Sequence, residues 1–126
     1  MRIYKTGNIV APSVNVVYSN IRTNLTADAQ TLATYTAGAT NELLQITITM
    51  TNNNATGQVR ATFNYTTDNN NAATLGAIAT TPNAAHGEGQ DVVALNIKNG
   101  TTLTIVSLIT VGAINYSSRV AITKIL

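Results

Sequence analysis

Leu43-Leu44-Gln45-Ile46-Thr47-Ile48-Thr49-Met50-Thr51 decides the fold class. Leu44, Ile46, Ile48 and Met50 fall on one side of an extended chain, and Gln45, Thr47, Thr49 and Thr51 on the other. That is the period of a half-buried strand and not of a helix. The run meets Asn52-Asn53-Asn54-Ala55-Thr56-Gly57, a cluster of turn formers. Alternation then resumes, with Val59, Ala61, Phe63 and Tyr65 facing one way and Arg60, Thr62, Asn64 and Thr66 the other. The two runs predict a long antiparallel hairpin.

Further along, Val93, Leu95 and Ile97 lead into Asn99-Gly100, a dipeptide that favours a two-residue type I′ turn, and Thr102 to Val111 returns from it. This predicts a second hairpin. The returning run is apolar on both faces, with Leu103, Ile105 and Ile109 on one and Val106 and Leu108 on the other. Such a strand is expected at the centre of a sandwich or beneath a neighbouring subunit. Gly112 permits a turn into Asn115 to Ile125, where Tyr116, Val120 and Ile122 alternate with Ser117, Arg119 and Thr123. Weaker strands are expected at Val14 to Tyr18, Thr31 to Thr36 and Ala73 to Thr80, and the one short helical candidate is Ala27 to Leu32. About eight strands separated by turns imply an all-β fold, an antiparallel two-sheet β-sandwich of jelly-roll or immunoglobulin-like topology. Residues 23–126 are expected to form that domain. Residues 1–22, extended and containing Pro12, read as an N-terminal arm or edge strand, and Thr81 to Gln90 as a polar loop carrying the only His.

A chain of 126 residues holds one core. Charged residues make up 10%, against roughly a quarter in ordinary domains, while apolar residues reach a near-normal 44%. The 22 Thr and 16 Asn supply the missing polarity, so the exterior is expected to carry neutral hydroxyls and amides. The net charge is +2, and the cations Arg2, Lys5, Arg22, Arg60, Lys98, Arg119 and Lys124 are scattered. Phosphate recognition needs them concentrated, usually with stacking aromatics, so no nucleic-acid partner is expected. Cysteine is absent, which excludes disulfides. No run approaches a membrane span, and the first residues lack the apolar stretch of a signal peptide; folding in a cytoplasm is the expectation.

Candidate chemistry is sparse. His86-Gly87-Glu88-Gly89-Gln90-Asp91 gathers a His and two carboxylates, but a metal centre needs three or four ligands, and no partner set at an interpretable spacing accompanies them. A Ser or Thr nucleophile would have only His86 as base, and no nucleophile-elbow sequence occurs. Asp68-Asn69-Asn70-Asn71 resembles the start of a calcium loop, yet Ala73 and Ala79 stand where an EF-hand needs Gly and Glu. A hairpin tip explains these residues, since Asn and Asp tolerate left-handed backbone. The five Asn-x-Ser/Thr sequons are close to what so much Asn and Thr gives by chance. Tyr65 and Tyr116 lie on core-facing stripes, which leaves Tyr4, Tyr18 and Tyr35 as candidates for stacking on sugars. No cofactor is expected.

The alternating strand, then Gly57-Gln58-Val59-Arg60-Ala61-Thr62-Phe63-Asn64-Tyr65-Thr66-Thr67-Asp68, and later Gly100-Thr101-Thr102-Leu103-Thr104-Ile105 followed by Tyr116, resemble the small Thr/Asn-rich β-sandwich proteins of tailed-bacteriophage virions. The resemblance covers roughly residues 31–126. It implies a structural part of the capsid decoration, head fibre or tail component type, commonly oligomeric and without catalysis, and it supplies no functional residues.

The expected function is therefore that of a non-enzymatic capsid decoration protein, located in the virion, that binds and stabilises the outer capsid surface. Few charges and a mean hydropathy of +0.12 suit an assembly better than a free monomer. Expected partners are the major capsid protein or other virion proteins, and further copies of the chain in a homo-oligomer, guessed to be a trimer; no nucleic acid and no membrane enter. Arg2, Ile3, Tyr4, Ile9 and Val10 are the candidate capsid-anchoring residues, and Asp68, Asn69, Asn70, His86 and Glu88 the candidate loop contacts. The alternative is a receptor- or glycan-binding module of a tail fibre or adhesin, using the loops near Asp68 and His86.

Overall fold

In the computed structural model the run that opens at Leu43 becomes the inner strand of a sheet. Residues 4–5, 8–9, 15–54 and 56–125 are described. The strands in chain order are β1 (Tyr4–Lys5), β2 (Asn8–Ile9), β3 (Asn15–Leu25), β4 (Thr31–Thr36), β5 (Glu42–Asn52), β6 (Gln58–Thr66), β7 (Ala72–Ile78), β8 (Glu88–Ile97), β9 (Thr102–Val111) and β10 (Tyr116–Lys124). β3 to β10 form two antiparallel four-stranded sheets, ordered β3-β10-β5-β8 and β4-β9-β6-β7, while β1 and β2 pair only with each other. Eight strands in this arrangement make a jelly roll, which decides between the two expected topologies.

The inward stripes fill the space between the sheets. Leu44, Ile46, Ile48 and Met50 of β5 meet Val59, Ala61 and Phe63 of β6, Leu103 and Ile105 of β9, and Tyr116, Val120 and Ile122 of β10, all fully buried. Each large side chain so buried contributes ~1.5–3 kcal/mol against the entropy of ordering the chain. β9 lies between β4 and β6, the central place its two apolar faces predict.

Both predicted hairpins are overturned. β5 and β6 belong to opposite sheets, as do β8 and β9. Every connection from β3 to β10 crosses the sandwich except β6 to β7, where Thr67–Asn71 makes the hairpin tip expected for Asp68 to Asn71. The physical reason is that these turns are bonded to neighbouring loops more than to themselves. Gly100, at φ +70°, donates to Ala37 O and Gly38 O at 3.2 and 3.0 Å. Asn52 is no surface turn residue either. It ends β5 fully buried, where its Nδ2 donates to Gly57 O (2.9 Å) and Ala84 O (3.1 Å) and its Oδ1 accepts from Asn54 N (2.8 Å).

Other boundaries move too. Ala27 to Leu32 forms no helix: Ala29 has φ +55° and Leu32 lies in β4. The loop expected to end at Gln90 ends at Gly87, because β8 begins at Glu88. Residues 15–22, assigned to the lead, are the first part of β3, an edge strand that pairs with β10. β3 also closes one open side of the sandwich, since Asn20 Nδ2 and Arg22 Nη1 donate to Leu32 O (2.8 Å) and Thr31 O (2.6 Å) of β4.

Candidate interaction surface

The outer face of the β3-β10-β5-β8 sheet is built from the off-phase residues of each strand. Strand register aligns Ile21, Arg119, Thr49 and Gln90 in one row across it, Ser117, Thr51 and Glu88 in the next row on one side, and Ser19, Ala121, Thr47 and Val92 in the next on the other. Among these residues only Arg119 and Glu88 are charged. Among the described residues, three of the five large hydrophobic side chains that stand exposed lie in β3 and β8, namely Val16 (53%), Ile21 (60%) and Val92 (50%). A recess of about 250 Å³ opens here, lined by Ile21, Thr23, Thr49, Thr51, Glu88, Ser117, Ser118 and Arg119. Glu88 and Arg119 border it from β8 and β10, with β5 between them. Among the described residues the only ion pair is Lys124–Glu42, so neither group is paired with a counter-charge. The other sheet also presents hydroxyls and amides, with Thr62 and Asn64 of β6 beside Val106 and Thr104 of β9.

The loop candidates do not converge. Thr81 N donates to Val59 O and Gly57 N to Asn83 Oδ1, so the Thr81–Gly87 loop with His86 sits at the start of β6. The Asp68 to Asn71 tip follows the end of β6, nine residues or roughly 27 Å away. One ligand-sized site cannot use both. At the tip the amides serve the turn: Asn70 has φ +69° and its Oδ1 accepts from Lys98 Nζ at 2.8 Å, while Thr67 Oγ1 bonds Asn69 Oδ1 and accepts from Asn71 N. His86 is exposed, and Asp91 Oδ1 accepts from Val92 N. Among the described residues no group of three His, Asp or Glu could hold a metal ion. Of the candidate arm, Tyr4 and Ile9 are opposed in the β1–β2 ladder. Arg2, Ile3 and Val10 lie outside the described residues.

Two polar knots escaped the sequence reading. Glu42 is 3% exposed, yet its Oε1 accepts from Tyr35 OH (2.6 Å), its Oε2 accepts from Gly38 N (2.7 Å), and Lys124 Nζ lies 3.7 Å away. Burial alone would raise its pKa, but the Tyr35 and Gly38 hydrogen bonds and the Lys124 charge outweigh it and hold the carboxyl below its ordinary value. Burial, the hydrogen bond and the charge of Glu42 push Tyr35 up to about 12. In the second knot Tyr116 OH donates to Ala27 O (2.7 Å) and lies 2.6 Å from Ser107 Oγ, which accepts from Gln30 N (2.9 Å). Burial raises the Tyr116 hydroxyl. These groups tie loops to strands and leave Ser107 beside a phenol held in its protonated form, which cannot act as its base.

No protein-family model and no curated protein sequence matches the chain. Among solved structures it is similar to the globular domain of zebrafish complement 1qA protein, with TM-score 0.58 and 12% identity over 89% of this chain and 98% of that one. It is similar to the CBM22-1 xylan-binding domain from Paenibacillus barcinonensis, with TM-score 0.53 and 10% identity over 92% and 98%. A chain of infectious bursal disease virus, Gx strain, matches with TM-score 0.50 and 14% identity; 84% of this chain covers 31% of that one. At such identities the shared property is the fold. In this chain it is an all-β jelly roll of two four-stranded sheets, and similar folds occur in a virus chain, a complement globular domain and a xylan-binding domain.

Proposed function

We propose that the chain is a non-enzymatic structural protein of a phage virion, a capsid decoration protein that docks on the outer capsid surface with its N-terminal residues. The observation that carries this reading is the nearly uncharged outer face of the β3-β10-β5-β8 sheet, where Thr and Ser hydroxyls surround exposed Ile21 and Val92 and charge is confined to Arg119 and Glu88. A free monomer gains solubility from dispersed charge and loses little by carrying it; a lattice part must bury its face, and desolvating a hydroxyl costs far less than desolvating an ion. A jelly roll built without Cys needs no oxidising compartment to fold, which suits a particle component. The glycan-binding alternative has weaker support, because Tyr18, Tyr35 and Tyr65 pack against the core and Tyr116 is fully buried, so none of them is an open stacking plate.

The arm is tested by deleting residues 1–14. A cut at residue 20 would remove half of β3, whereas β1 and β2 pair with neither sheet. The shortened chain is expected to keep its far-ultraviolet circular dichroism and cooperative unfolding and to lose co-sedimentation with purified capsids. Undiminished co-sedimentation sinks the arm. Gold labelling of intact particles tests the location: label on the head supports decoration, and label confined to the tail, or none, refutes it.

A further inference from the structure

We infer that the outer face of the β3-β10-β5-β8 sheet is a two-fold interface that takes a second copy of this chain, with Arg119 of each copy paired to Glu88 of the other. The inference does not rest on the virion reading; it would hold for the protein free in solution.

Three features of the face point to a copy of itself. The first is charge. Arg119 on β10 and Glu88 on β8 stand two strands apart, ~10 Å across the sheet, and are not paired with each other within the chain. A two-fold axis lying in the plane of the face and crossing β5 between Thr49 and Thr51 exchanges the two positions. Each cation then meets an anion twice over, as an isologous contact requires. The second is hydrogen bonding. Thr47, Thr49, Thr51 and Ser117 carry hydroxyls that both donate and accept, so a hydroxyl surface complements an identical one, which a surface of amines or of carboxylates cannot do. Short Thr and Ser side chains also lose less rotamer freedom on burial than Lys or Glu would. The third is apolar. Ile21 (60% exposed) and Val92 (50%) lie at opposite edges of the face and would both leave water under a second copy.

The area sets the strength. Four strands ~4.8 Å apart, overlapped for about seven residues, give a flat contact of ~450 Å² per copy, or ~900 Å² in all. Side-chain relief brings this near the lower bound of ~1,000 Å² for a specific interface, so the dimer is expected to dissociate with a Kd of ~1–100 μM.

Sedimentation equilibrium of the full chain from ~1 to ~500 μM tests this. A monomer–dimer equilibrium is expected. Arg119→Glu alone, or Glu88→Arg alone, brings like charges together at both symmetry-related contacts and is expected to weaken the dimer at least ~tenfold, and Ile21→Ser is expected to weaken it without any change of charge. The double reversal, Arg119→Glu with Glu88→Arg, restores complementarity and is expected to recover the wild-type Kd to within ~threefold. Arg119, Glu88 and Ile21 are exposed, so the variants are expected to fold, and circular dichroism checks each one. A chain monomeric at the highest concentration overturns the inference. So does a dimer indifferent to the single reversals, or a double reversal that fails to recover it. If the single reversals abolish capsid co-sedimentation and leave association unchanged, the face belongs to the capsid and the inference is wrong.

Discussion

Glu42→Gln isolates the charge of the one buried carboxylate, with almost no change of shape. Of the five Asp and Glu in the chain, Glu42 alone is buried. An amide can replace the carboxylate geometrically: turned over, its oxygen accepts from Gly38 N and its nitrogen donates to the Tyr35 hydroxyl, which can accept. What disappears is charge assistance. A hydrogen bond to an ionised acceptor is worth ~1.5–3 kcal/mol and a neutral one ~0.5–1.5, so each of the two bonds weakens by about 1 kcal/mol. Lys124 also loses its counter-ion, but its side chain is 36% exposed, so solvent screening holds that loss to ~0–1 kcal/mol. The sum is about 2 kcal/mol at neutral pH, a fall in Tm of roughly 6–10 °C for a domain of this size.

The sign of the pH dependence follows from the depressed carboxyl. Its folded-state pKa lies below the ordinary 4.5, so its stabilisation is fully present above that value and is lost as pH falls through the folded-state pKa. Urea unfolding of wild type and Glu42→Gln at about pH 7, and at steps down to about pH 3, should therefore show two curves that converge on the acid side, because a protonated Glu42 is also neutral. A gap under ~0.5 kcal/mol at neutral pH, or one that stays constant with pH, would refute the assignment of a charged Glu42 as the fastener of the β4–β5 connection. Lys124→Met serves as the control and should cost no more than ~1 kcal/mol.

Asn52→Ala removes two hydrogen bonds within the β5–β6 connection and one that ties it to Ala84 of the Thr81–Gly87 loop, and takes the side-chain donor from the buried Gly57 carbonyl; a loss of ~2–4 kcal/mol by urea unfolding is expected, and a loss under ~1 would contradict its fastening role. Tyr116→Phe keeps the ring and deletes the bonds to Ala27 O and Ser107, so ~1–3 kcal/mol should be lost, with faster amide exchange in residues 26–30 as the local signature. Gly89→Ala places a Cβ 2.6 Å from Ala79 O and against Thr80 O, backbone that cannot swing aside; a Tm fall of at least ~10 °C or insoluble expression is expected, and a wild-type Tm would show that β8 does not pass so close beneath β7's end.

The fold class was legible because alternation fixes which side chains point inward, and Leu44 to Met50 does so without ambiguity. Alternation is silent on which sheet the next strand joins. A hairpin and a crossing both need Gly, Asn and a reversal of direction, so Asn52 to Gly57 and Asn99-Gly100 predicted the wrong partner while correctly ending their strands. The distinguishing signal was present in the phase of the polar residues. Glu42 and Asn52 fall on the same side of β5 as Leu44, Ile46, Ile48 and Met50, one at each end of the stripe, and both are buried. At a hairpin tip an in-phase polar residue would emerge into water; where the chain crosses between sheets, it stays under the loops and must be met by their backbone groups. A polar residue that keeps the apolar phase at a strand's end is thus a sequence-level mark of a crossing connection. The neutral outer face was equally legible from its threonines. That Arg119 and Glu88 share this face was not, because residues 31 positions apart come onto one face only after β10, β5 and β8 take their order.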